Sequence, residues 1–123
     1  MKDLIAELEG LRGVLASHIE ALRRAEDRLR ALRGYNMVSD LTLWRLTLGG
    51  LLKRVDTVLD EAERGNLILS SAEACSLSEQ ARHILVRGRG ESGVLANVKP
   101  LLLYLSELGD KICRAQRGEA ARR

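Results

Sequence analysis

The chain has 123 residues, 46% of them apolar and 30% charged, with a formal net charge of +3. That is enough for one domain with a core of its own, needing no disulfide framework or structural metal, and no apolar run approaches the roughly 20 residues that cross a bilayer. Aromatic residues are almost absent, with Trp44, Tyr35, Tyr104 and no Phe, which argues against the base-stacking surface of single-strand binders.

The first helix is expected from about Asp3 to Arg33. Leu4, Leu8, Leu11, Leu15, His18, Leu22, Ala25, Leu29 and Leu32 recur at spacings of four and three, a heptad seam that keeps one stripe facing a partner helix. Ile5, Val14 and Ile19 widen the stripe, so this helix expects more than one neighbour. Acidic residues open it and Arg28, Arg30 and Arg33 close it, which complements the macrodipole. Gly34 is the expected left-handed stop. Gly10 and Gly13 fit either a close backbone approach or simple tolerance.

Ser39 is the expected N-cap of helix two. Its seam runs Leu41, Trp44, Leu48, Leu51, Val55, Val58, Ala62, unbroken in phase by Gly49-Gly50, with Gly65 as the stop. Ser70-Ser71-Ala72-Glu73 reads as a capping box opening helix three, whose seam is poor in large side chains. Such a helix either packs close to its neighbours or is the least stable of the four. Helix four carries Val94, Val98, Leu101, Leu105, Leu108, Ile112 and Ala115. Pro100 leaves two starts open: after an Asn97 cap, or after Ser92 with the proline inside the helix. Gly118 is the expected end.

Four amphipathic helices on short connections predict an all-α, antiparallel up-down-up-down four-helix bundle. It is expected as one domain over residues 1–118, with a basic tail over 119–123. The N-terminus has no basic stretch before an apolar run, so no signal peptide is expected and the chain reads as cytoplasmic. Cys75 and Cys113 read as small buried hydrophobes in a reducing compartment.

Little points to catalysis. The di-metal bundle signature is Glu-x-x-His, but Leu15 stands three residues before His18 and Gln80 three before His83. The run from Gly88 to Gly93 lacks the preceding strand and the Gly-Lys-Ser ending of a phosphate loop. No catalytic residue, metal or cofactor is predicted, no small-molecule substrate is evident, and an enzyme is not expected.

The charge map says more. Of the 20 basic residues 16 are arginine, whose guanidinium fork matches phosphate and carboxylate. Up-down-up-down order gathers Arg23, Arg24, Arg28, Arg30, Arg33, Arg45, Arg82, Arg87, Arg89 and Lys99 at one end, against Glu26, Asp27, Asp40, Glu79 and Glu91. These ten are the candidate nucleic-acid-binding residues, suited to a phosphate backbone. The macrodipole alone would also place arginines at helix C-termini. Leu43, Leu46, Leu67, Leu69, Leu103 and Tyr104 fall off or beside the seams and are the candidate partner interface, for a larger protein or for further copies of the chain. A membrane surface is not expected, because no helix pairs a wide apolar face with an all-basic one.

Two resemblances add to this. Leu46-Thr-Leu-Gly-Gly-Leu-Leu through Glu61-Ala62, Gln80-Ala-Arg-His-Ile-Leu-Val-Arg and Leu105-Ser-Glu-Leu-Gly-Asp-Lys-Ile112 resemble the accessory (Avd-type) protein of diversity-generating retroelements. The resemblance implies a basic four-helix bundle that forms a pentamer and associates with a reverse transcriptase and its template RNA, with Arg82, Arg87 and Arg89 as contacts. The small helical subunits of CRISPR effector complexes are similar in size and basic face. Separately, Val58-Leu-Asp-Glu, Leu69-Ser-Ser-Ala-Glu-Ala and Ala81-Arg-His-Ile-Leu followed by Gly-Glu-Ser-Gly resemble a caspase-recruitment domain of the death fold. That resemblance implies six shorter helices and a homotypic interaction module.

Overall fold

A computed structural model describes residues 1–33, 35–87 and 93–121, with the side chains of residues 35–37 outside the description. The order is α1 (Lys2–Ala31), α2 (Tyr35–Glu63), α3 (Leu67–Arg87) and α4 (Gly93–Ala121). Each helix packs on the next, and α4 returns to α1 through the smallest of the four interfaces. Cross-helix bonds fix alternating directions: Glu26 meets Arg45 and Arg12 meets Asp56 between α1 and α2. Ser70 bonds to Val58 between α3 and α2, and Ser78 to Ser106 and Ser71 to Cys113 between α3 and α4. The chain is an up-down-up-down four-helix bundle. The six-helix order implied by the death-fold resemblance is not what these residues form, because α2 runs unbroken through Gly49-Gly50.

The seams become the core. Leu8, Leu15, Leu22, Leu48, Leu51, Val55, Val58, Val98, Leu105 and Ile112 are all buried in one cluster. Leu32, expected on the first seam, is exposed because α1 ends at Ala31 and Arg33 takes the left-handed conformation, with φ 60°. Gly34, the expected stop, lies outside the described residues. Gly65 does close α2, with φ 77°. Its N–H donates to Ala62 and that of Asn66 to Glu61, the paired bonds of a Schellman cap.

Helix starts differ more. Ser39 lies inside α2, which begins at Tyr35, so it is not the N-cap. Ser70 is no cap either. The α3 helix begins three residues earlier, and the buried Ser70 hydroxyl donates across to the Val58 carbonyl at 2.9 Å. The α4 helix starts at Gly93 and carries Pro100 inside it on an exposed position; the alternative start after Asn97 is not used. Gly118 does not end α4, which continues to Ala121.

The small residues of α3 let it approach α4 closely. A Cβ at Gly109 would stand 2.9 Å from the Ala74 carbonyl oxygen and 3.1 Å from the Ser78 nitrogen. Around Gly10 and Gly13 nothing lies within 4 Å, so those glycines are tolerated rather than required. Cys75 and Cys113 face each other across the α3–α4 contact, with Cα atoms 5.2 Å apart, and are joined as a disulfide. They are therefore not the separate buried thiols expected from the sequence, because close packing through Ser71, Ala74 and Ser78 brings the two backbones within reach. Among the described residues no helix is long and apolar enough to cross a membrane.

Candidate nucleic-acid interface

The alternating order puts the end of α1, the start of α2, the end of α3 and the start of α4 at one tip. Of the ten cationic candidates, Arg23, Arg24, Arg28, Arg30, Arg33, Arg82, Arg87 and Lys99 are exposed on that half of the bundle. Arg89 lies outside the described residues. Arg24 sits 3.8 Å from Glu20 and Arg30 4.0 Å from Asp27. Both are loose surface contacts that leave the guanidinium largely available. Among the described residues Arg23, Arg28, Arg33, Arg87 and Lys99 make no ion pair.

Arg45 and Arg82 are held more firmly. Glu26 is only 2% exposed, and its two carboxylate oxygens accept from Arg45 Nε at 2.9 and 3.1 Å. The pair joins α1 to α2 beneath the pole. It also removes one acid from the surface, while Asp27, Asp40 and Glu79 stay exposed. Arg82 donates from Nη2 to the Ser78 hydroxyl at 2.7 Å and from Nε to the Ser106 hydroxyl at 3.1 Å. Asp110 stands 4.0 Å away. Arg82 is thus positioned across the α3–α4 contact by its guanidinium, while the side chain stays more than half exposed.

Bases intervene among the acids toward the other end. Arg12 pairs with Asp56, Arg54 with Glu73 at 3.0 Å, Arg64 with Glu61 at 3.6 Å and Arg114 with Asp110 at 2.6 Å. Asp56 pushes the Arg12 pKa upward through a hydrogen bond and charge. Lys2, Lys53, Lys111 and Arg117 toward that end also make no ion pair among the described residues. Asp3, Glu9, Asp60, Glu63, Glu107 and Glu119 accompany them, so the asymmetry lies in the local balance of charge.

The apolar candidates are less concentrated. Leu43 and Leu46, one turn apart on α2 and flanking Arg45, are 64% and 60% exposed. Leu69 and Leu103 are also exposed. Leu67 is half-buried beside the α2–α3 turn. Tyr104 is exposed, but its hydroxyl donates to Glu7 of α1 at 2.8 Å. That bond, with the charges of Glu7 and Glu107, raises the phenol above its ordinary value of 10.0. Leu43 and Leu46 lie beside Arg45, and Leu103 stands one turn from Lys99 on α4.

The buried Glu26 was not anticipated. Its signal is in the spacing: Ile5, Arg12, Ile19 and Glu26 recur every seven residues beside the seam. The two charged members find opposite charges on α2. Among the described residues no group of three His, Cys, Asp or Glu side chains is placed to hold a metal ion. Comparison with known proteins finds no matching family model, no matching curated protein and no matching solved structure.

Proposed function

We propose that the chain is a non-enzymatic accessory subunit that contacts a nucleic-acid backbone with its arginine tip and a larger protein with the adjoining apolar patch. The observation that carries this reading is the grouping of Arg23, Arg28, Arg33, Arg87 and Lys99, exposed and without ion pairs among the described residues, on three helices at one end. Helix dipoles place single basic residues in a last turn. They do not account for Lys99 near the start of α4, nor for burying Glu26 beneath the tip. Such a surface neutralises phosphates without reading bases. A ribonucleoprotein with a reverse transcriptase or a CRISPR effector is the setting that fits an RNA-contacting subunit of this size.

Leu43 and Leu46 support the protein contact. They form an exposed apolar pair beside Arg45, so one partner can cover the patch while its nucleic acid crosses the tip. A cytoplasmic site of action is part of the proposal. The Cys75–Cys113 disulfide weighs on the other side, because cytosolic proteins rarely keep one.

The test reverses charge at either end. Arg28→Glu with Arg87→Glu is expected to weaken binding to a single-stranded RNA by at least about tenfold at low salt. The same reversals at Lys53 and Lys111, toward the other end, leave it nearly unchanged. Equal losses from both pairs mean that net charge, rather than the tip, governs binding. If wild type binds no RNA yet self-assembles after nuclease treatment, the homotypic interaction module is the correct reading.

A further inference from the structure

The groove between α3 and α4 carries chemistry that the arginine tip does not use. Its disulfide joins Cys75 to Cys113, and the two halves are unequal. Cys113 is 2% exposed, whereas Cys75 is only partly buried, so the surface offered to an incoming group belongs to Cys75. The Ser71 hydroxyl donates to the Cys113 carbonyl at 2.9 Å and stands 3.8 Å from Cys113 Sγ. It is placed to donate to a thiolate left on Cys113.

One turn along the groove lies a recess of about 280 Å³, lined by Ile68, Ser71, Ala72, Arg117 and Ala120. Ser71 lines this recess and also contacts the Cys113 sulfur, so recess and disulfide adjoin. No carboxylate is among the lining residues, and Arg117 is exposed with no ion pair among the described residues. Asp110 and Glu79 lie on the other side of the disulfide, toward the arginine tip, and Asp110 is bonded to Arg114 at 2.6 Å. An anion entering the recess therefore meets a guanidinium beside a disulfide.

We propose that the recess and the disulfide form one site for thiol–disulfide exchange with an anionic low-molecular-weight thiol of the glutathione class. Arg117 pairs with a carboxylate of the thiol and brings its sulfur to Cys75. The thiolate attacks Cys75 Sγ, and its bond to Cys75 forms as the Cys75–Cys113 bond breaks. The electron pair leaves on Cys113 Sγ, which accepts from the Ser71 hydroxyl and then takes a proton from water. A second thiolate attacks the thiol's own sulfur in the mixed disulfide, releasing the oxidised dimer and the Cys75 thiolate. Two thiols are thereby oxidised to one disulfide, and the protein's bond is reduced by two electrons. In reverse, the oxidised dimer modifies a free Cys75. The exchange opens and closes the α3–α4 link, and it does not rest on the nucleic-acid reading.

The reverse direction tests the site in full-length single-cysteine variants. Glutathione disulfide is expected to modify Cys75 in Cys113→Ala at least about tenfold faster than Cys113 in Cys75→Ala, read by mass spectrometry after acid quenching. In denaturant the two are expected to react alike. Arg117→Gln in the Cys113→Ala chain is expected to slow glutathione disulfide several-fold and to leave the neutral 2-hydroxyethyl disulfide unchanged. The proposal is overturned by equal rates at the two cysteines, by faster reaction at Cys113, or by an Arg117→Gln chain that reacts like its parent with both reagents. Should either single-cysteine variant fail to fold, reduction of the wild-type disulfide decides. If Arg117→Gln slows glutathione several-fold relative to the neutral thiol 2-mercaptoethanol, the site is supported; equal effects on both thiols overturn it.

Discussion

Gly109 stands where α4 meets α3 most closely, and the atoms it faces are backbone, which cannot step aside. Gly109→Ala is expected to lower unfolding free energy by about 1–3 kcal/mol in urea titrations, although alanine is the better helix former. Gly13→Ala, with open space around it, is expected to raise it by up to about 1 kcal/mol. Equal shifts of the same sign would contradict the packing described. Tyr104 supplies a second check. The protonated phenol is the form that bonds Glu7, so its contribution is full below pH 10.0, the ordinary value. It is lost as pH rises through the higher folded value. In a Tyr35→Phe background, absorbance titration is expected to place Tyr104 above 10.0, and Glu7→Gln to lower it. An unchanged midpoint would mean the bond does not form in solution.

At the scale of elements, the strongest statement concerns the α3–α4 pair. The disulfide spans 38 residues, and a closed loop of that length stabilises by roughly 4 kcal/mol in the chain-entropy account. Cys75→Ala with Cys113→Ala is expected to lose about 2–4 kcal/mol against the oxidised chain. Denatured protein without reductant is expected to show no free thiol; two free thiols would contradict the bond. The heptad seams made four helices and their pairing legible, because burial of one stripe is what a periodic apolar pattern encodes. The starts of α2 and α3 were not legible. Ser39 and Ser70 have cap-forming side chains, but they lie inside α2 and α3, and the Ser70 hydroxyl serves the Val58 carbonyl instead. The cysteine pairing was equally hidden, since two positions in separate helices meet only once the α3–α4 register is known.

At the scale of the molecule, the basic tip was legible because helix order alone brings residues 23–33, 82–87 and 99 together. Which of those cations are left exposed was not. Glu26 looked like a surface counter-charge, and only its burial against Arg45 takes it out of the solvent-facing balance. The cleft between the first turns of α1 and the last turns of α2 and α4, and the buried Gln116 beside it with no bond among the described residues, were also illegible. A glutamine near the end of an amphipathic helix carries no mark of lacking partners, and α1 and α4 share the smallest of the four interfaces. The two ends therefore differ in kind, one a field of exposed guanidinium groups and the other a cleft lined by Ile5, Leu59 and Leu67.

The most direct measurement is the affinity of the full chain for a labelled single-stranded RNA as salt rises from roughly 50 to 200 mM. With several phosphates neutralised, log affinity is expected to fall linearly with log salt, at a slope of about −0.7 per phosphate contact. Arg28→Glu with Arg87→Glu is expected to flatten that slope by at least one contact. A salt-independent affinity, or a slope the two reversals leave unchanged, would contradict the arginine tip as a nucleic-acid surface.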